Sequence, residues 1–294
     1  DHPDIAQNLW TNPKERVDGL DNDNNFYVDD QHGWDFVDGA ADPSPNLNED
    51  QATATAVNHG TMVAGLIGAV GNNGINGTGL AWQVKLMPLR ALDSRGRGNV
   101  GTVIEAVRYA IRQGADIINL SFVGPGFDRD LFLVLQEASR KGILVVAAVG
   151  NNEQWKGLNL DEVPLYPVCY SGGANGEDVV LGVAALDKND KKFISSNYGK
   201  NCVDISAPRI NMYSTLFYSP NQDFNNYFGG DGSGSSMAAP LVSGAAALIK
   251  ALNPSYGAQE LRAILTQSAD SLEQAEPEYF EKLGAGRLNV NKAL

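Results

Sequence analysis

Two residues, His59 and Ser236, stand in patterns that suit nucleophilic catalysis. His59 precedes a glycine and an apolar run of small residues, which predicts an imidazole displayed at the start of a helix. Ser236 follows a turn rich in glycine and serine and precedes a long apolar helix, whose N-terminus would favour negative charge beside the hydroxyl. Pro240 is tolerated there because the first N–H groups of a helix lack acceptors. An incidental His-Gly pair and a simple N-cap serine are the alternatives.

Asn151 completes this set of polar candidates. It follows the apolar run Ile143–Val149 and a glycine, so it lies where a buried strand ends. The ends of parallel strands are where sites form in open α/β sheets, and a side-chain amide there can donate to an oxyanion. An ordinary turn asparagine is the alternative, since Gly-Asn-Asn is also common turn chemistry.

Apolar periodicity predicts the elements that must position these residues. Continuously apolar strands that alternate with helices indicate a parallel sheet covered on both faces. We therefore expect an α/β fold with three layers, a mostly parallel central sheet and helices on both faces. A single domain of residues 1–294 is expected, with a loop-rich stretch over residues 1–58. The predicted strands are Val84–Leu89, Ile117–Ser121, Ile143–Val149 and Val179–Ala184, and the predicted helices are Val100–Gln113, Asp130–Lys141, Ser236–Leu252 and Gly257–Ser268.

The composition excludes several classes of protein. Lys and Arg number 22 and Asp and Glu number 35, which gives a net charge of −13. This charge argues against a nucleic-acid partner, which needs a basic face, and against docking on anionic membranes. No apolar run is expected to reach the ~18–20 residues that cross a bilayer. Because 43% of the residues are hydrophobic, the chain can bury a core, and global disorder is ruled out.

The acidic residues are concentrated in residues 18–50, which contain ten of them and no Lys or Arg. From Asp21 onward, oxygen-bearing side chains occupy positions 1, 3 and 5 of a loop. That spacing turns three side chains towards one hard cation, with a backbone carbonyl at position 7. We therefore expect calcium here, and a plain solvated loop is the alternative. The expected ligands are Asp21, Asp23, Asn25, Tyr27 and Asp30.

Three motifs occur in a fixed order along the chain: His59-Gly-Thr-Met-Val-Ala-Gly, Ala147-Ala-Val-Gly-Asn151 and Gly234-Ser-Ser236-Met-Ala-Ala-Pro. They resemble the histidine, oxyanion-asparagine and nucleophile motifs of the subtilisin-like serine proteases, or subtilases (peptidase family S8). The resemblance covers almost the whole chain and implies a subtilisin-like fold. It also implies a serine endopeptidase in which Ser236 is the nucleophile, His59 is the general base, and Asn151 with the Ser236 N–H holds the oxyanion.

The same resemblance implies where a substrate binds. Ser94-Arg-Gly-Arg-Gly98 and Ile118-Asn-Leu-Ser121 look like the two strands that pair with the substrate backbone. Val123 stands where the family commonly has glycine, so its side chain should narrow the P1 pocket. Leu165 should make the pocket floor apolar, so we expect a small or medium apolar P1 residue. Tyr166-Pro167 resembles a pocket wall and is expected to be cis. The implied substrate-binding residues are Gly96, Gly98, Ser121, Phe122, Val123, Leu165 and Tyr166.

The third member of the family's triad has no counterpart in the sequence. His2-Pro3-Asp4 matches a His-Pro-Asp that follows the catalytic Asp in the family, so that Asp is expected about seven residues before His2. We expect it, and the strand that carries it, to lie upstream of residue 1, and this chain alone to have very low activity. A truncated gene product, a strand from another chain and a catalytically dead relative are the three explanations.

The resemblance implies a second calcium site as well. Its expected ligands are Asp4, the Asn73 side chain and the carbonyls of Gly71, Ile75 and Gly77. One or two structural calcium ions are therefore expected.

The two cysteines, Cys169 and Cys202, could form a single disulfide or be two unrelated buried thiols. Some subtilases have a bridge at similar places, and a bridge would imply an oxidising compartment. The resemblance further implies a secreted monomer with protein or peptide substrates and an inhibitory prodomain, without a nucleic-acid partner or a membrane span. A subtilase-like binding or scaffold protein without activity, or one chain of a two-chain protease, is the alternative.

Overall fold

The computed structural model describes residues 2–154, 156–170, 179–209, 212–232 and 234–294. Asp1 and Ser233, the latter in the predicted nucleophile turn, lie outside these residues. The chain forms two compact units: Asp1–Gly114 with Ser214–Gly229, and Ala115–Tyr213 with Gly230–Leu294. The single domain expected from the sequence stays a prediction.

Within its described residues, the first unit holds two α-helices and two short strands up to Gly114. In chain order these are β1 (Trp34–Asp35), α1 (Ala54–Gly68), β2 (Leu89–Arg90) and α2 (Val100–Arg112). β1 and β2 pair in parallel. The predicted helix at residues 100–113 is confirmed as α2, which Asn99 caps by accepting a hydrogen bond from the Thr102 N–H at 3.0 Å.

The predicted strand Val84–Leu89 is replaced by a shorter arrangement. Leu86 forms an isolated parallel bridge with Leu9, and β2 begins only at Leu89. Pro88 lies between them, and because proline has no N–H to donate, it interrupts the ladder of hydrogen bonds.

The second unit contains most of the elements that follow α2. In chain order, its described elements are β3 (Ile117–Leu120), β4 (Gly124–Pro125), α3 (Arg129–Arg140), β5 (Leu144–Ala148), β6 (Leu165–Tyr166), β7 (Leu181–Leu186), β8 (Ile205–Pro208), α4 (Ser235–Leu252), α5 (Ala258–Gln267) and α6 (Val290–Ala293).

A four-stranded parallel sheet in the order β3-β5-β7-β8 forms the centre of this unit. Every residue of β5 and β7 is buried. Since successive side chains of a strand point to opposite faces, both faces of the sheet are covered. Helices α3, α4 and α5 contact β5, which confirms the predicted α/β class.

Two further strands contain two of the three points at which the chain passes between the units. They are β9 (Met212–Thr215) and β10 (Phe228–Gly232), which form a two-stranded sheet. Short 3-10 helices occur in the described chain at Ala6–Asn8, Val168–Tyr170, Pro220–Gln222 and Phe280–Lys282.

The core helix α4 has the length and the apolar composition of a membrane-crossing helix. No apolar run of that length was expected from the sequence of this helix. In the protein, 61% of its 18 residues are buried. It contacts β3, β5, β7 and β8, so it packs as the core helix of the second unit.

Candidate active site

His59 lies on α1 in the first unit. The helix begins at Ala54, behind Thr53, whose hydroxyl accepts a hydrogen bond from the Ala56 N–H at 3.2 Å. His59 is therefore the sixth helical residue. The prediction that it stands at a helix start is wrong, because the Thr53 cap starts the helix more than one turn earlier.

The imidazole of His59 is half-buried, and burial lowers its pKa from the ordinary value. Among the described residues, no side chain makes a hydrogen bond to the ring. A lowered pKa keeps the imidazole neutral at neutral pH, which is the form that a general base requires.

The small residues after His59 allow a neighbouring segment to approach α1 closely. A Cβ on Gly65 would lie 2.1 Å from the hydroxyl of Thr215. That hydroxyl donates to the Thr61 carbonyl at 2.7 Å, and the Ser214 hydroxyl donates to the Met62 carbonyl at 2.9 Å. The histidine motif is therefore also a packing motif within the first unit.

Ser236 is the second residue of α4, in the second unit, as its motif predicted. Gly234 precedes the helix with φ +96°, a conformation that favours glycine. A Cβ on Gly234 would lie 2.3 Å from the Asn151 side-chain nitrogen. The glycine is thus required twice, by its backbone conformation and by the close approach of Asn151.

Asn151 follows β5 and contacts the same turn. Its Oδ1 accepts a hydrogen bond from the Ser235 N–H at 3.0 Å. Its Nδ2 has no hydrogen-bond acceptor among the described residues, and the side chain is exposed. The Ser236 N–H, in the first turn of α4, likewise lacks an intrahelical acceptor. Among the described residues, these two groups are donors without an acceptor, which is what an oxyanion site requires.

Pro240 has a different structural explanation from the one expected. It is the sixth residue of α4, where an N–H would normally bond to the carbonyl of Ser236. Proline leaves that carbonyl without its helical partner, and the Ser121 hydroxyl donates to it instead at 2.9 Å. Ser121, predicted as a substrate-binding residue, therefore also holds the first turn of α4.

The predicted P1 residues lie in the second unit. β4 pairs antiparallel with β6, which places Gly124 opposite Tyr166. A Cβ on Gly150 would lie 2.4 Å from Val123 Cγ2, so Val123 packs against the backbone next to Asn151. The Tyr166–Pro167 bond is cis, as predicted. Phe122 and Leu165, which precede Val123 and Tyr166 in the sequence, are half-buried.

Residues 94–98, which include Gly96 and Gly98, lie in the first unit and form a tight turn instead of the predicted substrate strand. The Gly96 N–H closes this turn by donating to the Asp93 carbonyl at 2.8 Å. Gly96 has φ +76°, which favours glycine. Ser94, at the start of this segment, is held by two hydrogen bonds. Its N–H donates to the Glu49 carboxylate, and its hydroxyl donates to the Asn46 carbonyl at 2.7 Å.

Part of the acidic segment 18–50 is neutralised by the guanidinium of Arg90 rather than by a metal ion. The guanidinium contacts Asp35 at 2.5 Å and Asp38 at 2.9 Å, and it also pairs with Glu49. Arg90 and Asp35 are buried. Three of the ten acidic residues in 18–50 therefore belong to this ion-pair network.

Another part forms a carboxylate cluster. Glu15, Asp21 and Asp23 place one oxygen each within 4.8 Å of one another. Asp21 and Asp23 both accept a hydrogen bond from the Asn25 N–H at 3.1 Å, which curls the loop between them. Glu15 was not predicted, because it precedes the acidic run and follows no ligand spacing.

Asp30 does not join this cluster, contrary to the predicted ligand set. It is buried, and its carboxylate accepts hydrogen bonds from the Tyr109 hydroxyl at 2.6 Å, Asn25 Nδ2 at 2.8 Å and Asn12 Nδ2 at 3.1 Å. Burial and the adjacent Asp30 raise the pKa of Tyr109. Asp30 thus serves as a buried acceptor, and Tyr27 uses its N–H to bond Asn25 Oδ1 at 2.7 Å.

The second predicted cation site centres on Asp4, which is fully buried in the first unit. Its Oδ1 accepts a hydrogen bond from Asn73 Nδ2 at 2.6 Å. Its Oδ2 has no hydrogen-bond partner among the described residues. A Cβ on Gly77 would lie 2.4 Å from this oxygen, so the loop backbone closes around it. A buried carboxylate oxygen without a partner is costly unless a cation binds it.

Cys169 and Cys202 form a disulfide, with their Cα atoms 4.6 Å apart. The possibility of two unrelated thiols is therefore excluded.

The parallel core and the serine delivered beside an asparagine define a subtilisin-like architecture. A thermostable alkaline protease of Halalkalibacterium halodurans is 37% identical over 214 residues, which are 73% of this chain and 53% of the relative. Thermitase of Thermoactinomyces vulgaris is 34% identical over 262 residues, 89% of this chain and 80% of the relative. The solved structure of a protease from Pseudoalteromonas arctica matches with a TM-score of 0.68 and 27% identity, covering 89% of this chain and 82% of the other.

The model of the subtilase family, peptidase S8, matches residues 1–286, so the chain belongs to this family. It spans about half the length of the alkaline protease that it matches.

Proposed function

We propose that the protein is a serine endopeptidase, with Ser236 as nucleophile, His59 as general base, and Asn151 with the Ser236 N–H as oxyanion donors. One observation carries this proposal. Asn151, after β5, accepts a hydrogen bond through Oδ1 from the Ser235 N–H, which directly precedes Ser236 at the start of α4, and its Nδ2 is free to donate. The protease names of the relatives, and the order of the motifs, support the same roles.

The reaction follows from these roles. The Ser236 hydroxyl attacks a peptide carbonyl while His59 takes its proton, and the two donors stabilise the oxyanion. The C–N bond then breaks as His59 gives the proton to the leaving amine, which leaves an ester on Ser236. Water, activated by His59, hydrolyses the ester and restores the hydroxyl.

A fluorophosphonate probe tests the proposal. It should form a phosphonate ester on Ser236 with loss of fluoride, and mass spectrometry should map the label to that residue. The Ser236→Ala variant should stay unlabelled. A protein that neither reacts with the probe nor cleaves a peptide library would instead be a binding or scaffold protein.

The substrate preference extends the proposal. Val123 packs on Gly150 next to Asn151 and would narrow the P1 pocket, so the proposed P1 residue is small or medium and apolar. A library cleaved mainly after Arg or Glu would contradict this preference.

We also propose two structural calcium sites. One uses Asp4, Asn73 and the carbonyls of Gly71, Ile75 and Gly77, and the unpartnered Asp4 Oδ2 supports it. The other uses Asp21 and Asp23 together with Glu15. Carboxylate and carbonyl oxygens are the donors that calcium prefers. The ions would neutralise buried and clustered charge, and no catalytic step uses them.

Removing calcium should lower the melting temperature, because a ligand that binds only the folded state stabilises it by about 2.7 kcal/mol at a hundredfold excess over Kd. Asp4→Asn should reduce the effect of a chelator, as calorimetry with and without EDTA would show. Glu273→Gln, at an exposed position, is the matched control and should behave as the wild type. An unchanged melting temperature in EDTA would contradict both sites.

The cellular setting is part of the same proposal. Disulfides persist in oxidising compartments, and the Cys169–Cys202 bridge supports a secreted protein. We propose a monomer that acts on protein or peptide substrates after release from an inhibitory prodomain.

A further inference from the structure

Lys192, which has no role in the proposed chemistry, ends in an enclosure of backbone oxygens in the second unit. Its Nζ donates to the carbonyl of Lys156 at 2.9 Å and lies 3.2 Å from each of three further carbonyls. The three belong to Phe193, Ile194 and Ser196. Together these four carbonyls form the Lys192 cage.

Aromatic faces and acidic groups complete the surroundings of this amine. The Nζ lies 5.4 Å from the ring centre of Tyr198 and 5.1 Å from that of Tyr279, within the range of cation–π attraction. Glu276 and Glu278 add a favourable field, and Glu276 accepts the Lys192 backbone N–H at 2.9 Å. Burial nevertheless lowers the pKa of Lys192 to about 8, so the amine is an ammonium at neutral pH.

The backbone on the far side of the cage is shaped to fit this group. Gly157 has φ +88°, and a Cβ there would lie 2.1 Å from the Ser196 carbonyl oxygen and 3.3 Å from the Lys192 Nζ. Only a glycine allows the two segments to close around the ammonium. An ammonium has three donors, and the cage offers them four acceptors.

The segment that forms most of the cage also supports Asn151. Residues 195–197 run beside the end of β5: Asn151 forms a β-bridge with Ser196, and the Asn152 N–H donates to the Ser195 carbonyl at 2.7 Å. The segment thus contacts Asn151 on one side and directs the Ser196 carbonyl to Lys192 on the other.

Asn197 strengthens this connection. Its N–H donates to the Gly150 carbonyl at 3.1 Å, and its Nδ2 donates to the Val149 carbonyl at 2.9 Å. Its Oδ1 accepts the Leu158 N–H at 2.8 Å, next to Gly157. The residues on both sides of Asn151 are therefore held by one short segment whose other carbonyls face Lys192.

We propose that Lys192 is a positioning residue whose ammonium acts as a tethered internal cation, fixing segment 193–196 so that Asn151 is held in place. Its bearing on catalysis rests on the proposed function. The cage itself follows from the chain's own contacts, and it should accept a small alkylammonium ion once the lysine is shortened.

The test begins with Lys192→Ala, which removes the propylammonium part of the side chain. Backbone amides of Asn152 and Asn197 should exchange with solvent at least tenfold faster, and added propylammonium should restore slow exchange. Tetramethylammonium, which has no N–H, should not restore it at the same ionic strength. Lys191→Ala, at the neighbouring exposed lysine, is the matched control. Unchanged exchange, or exchange that propylammonium does not slow, would overturn the proposal.

A second variant covers a failure of Lys192→Ala to fold. Lys192→Met keeps the side chain up to the position of Cε and removes the ammonium donors, so it should show the same faster exchange at Asn152 and Asn197. In the hydrolysing protein its kcat should fall by more than its KM changes, by less than the ~10²–10³ that a lost oxyanion donor costs. A wild-type protein that cleaves no peptide would contradict the proposed function, and the exchange measurement would still decide on the cage.

Discussion

Replacement of His59 by alanine should reduce peptide hydrolysis by roughly 10²-fold in kcat. Subtilisin, a protease of this family, loses about 10⁶-fold without its histidine but about 3 × 10⁴-fold without its catalytic aspartate alone, and that aspartate has no counterpart in this sequence. The reason is that the Ser236 hydroxyl is a weak nucleophile unless a base takes its proton. The rate of fluorophosphonate labelling should fall together with kcat, and a quenched time course analysed by mass spectrometry would measure it.

The other histidines provide the control for this experiment. His32, which bonds to the Trp10 carbonyl at 2.8 Å, has no proposed role, so His32→Ala should keep the labelling rate. The pH profile gives a second check. Because burial lowers the pKa of His59, wild-type labelling should decline only as the pH drops below about 6.5, when the imidazole becomes protonated. A decline centred above 6.5 would contradict a neutral, buried base.

Gly234→Ala should impair catalysis at least as much as loss of the oxyanion amide, which costs ~10²–10³ in kcat in subtilisin. The new Cβ would collide with the Asn151 side-chain nitrogen at 2.3 Å, and φ +96° strains any residue other than glycine. KM should change far less than kcat, because the oxyanion forms only during the reaction. Steady-state kinetics on a peptide substrate measures both constants.

Gly230→Ala is the matched control for this change. Nothing lies within 4 Å of a Cβ at Gly230, and its φ is not in the left-handed region. The control should retain the wild-type kcat. A normal kcat in Gly234→Ala would show that Asn151 does not depend on the close approach to this turn.

Three strands of the second unit, β3, β5 and β7, could be predicted because their side chains are mostly apolar. Ile143–Val149 contains β5, and Ile117–Ser121 contains β3. The start of α1 was missed because residues 54–58 carry little apolar periodicity, and only the Thr53 cap marks it. β8 was missed because Ile205–Pro208 is short and includes a buried serine.

The site residues that belong to a sequence motif could be predicted. The contacts that depend on backbone atoms could not. His59, Asn151 and Ser236 follow from their motifs. The contact of Asn151 with Gly234 depends on two segments far apart in sequence, so only the fold reveals it. The cage of Lys192 is built from carbonyls, which every residue has, and therefore leaves no pattern in the side chains.

Ser121 connects the nucleophile helix to the sheet by one hydrogen bond to the Ser236 carbonyl that Pro240 leaves free. Because Ser121 directly follows β3, this bond ties the first turn of α4 to the central sheet, and it involves no atom of the adjacent loop. Residues from Phe122 to Pro125 can accordingly be varied without removing the bond that holds the first turn of α4. A change of cleavage preference in this protein could thus be engineered in that loop while the attacking group stays where the sheet holds it.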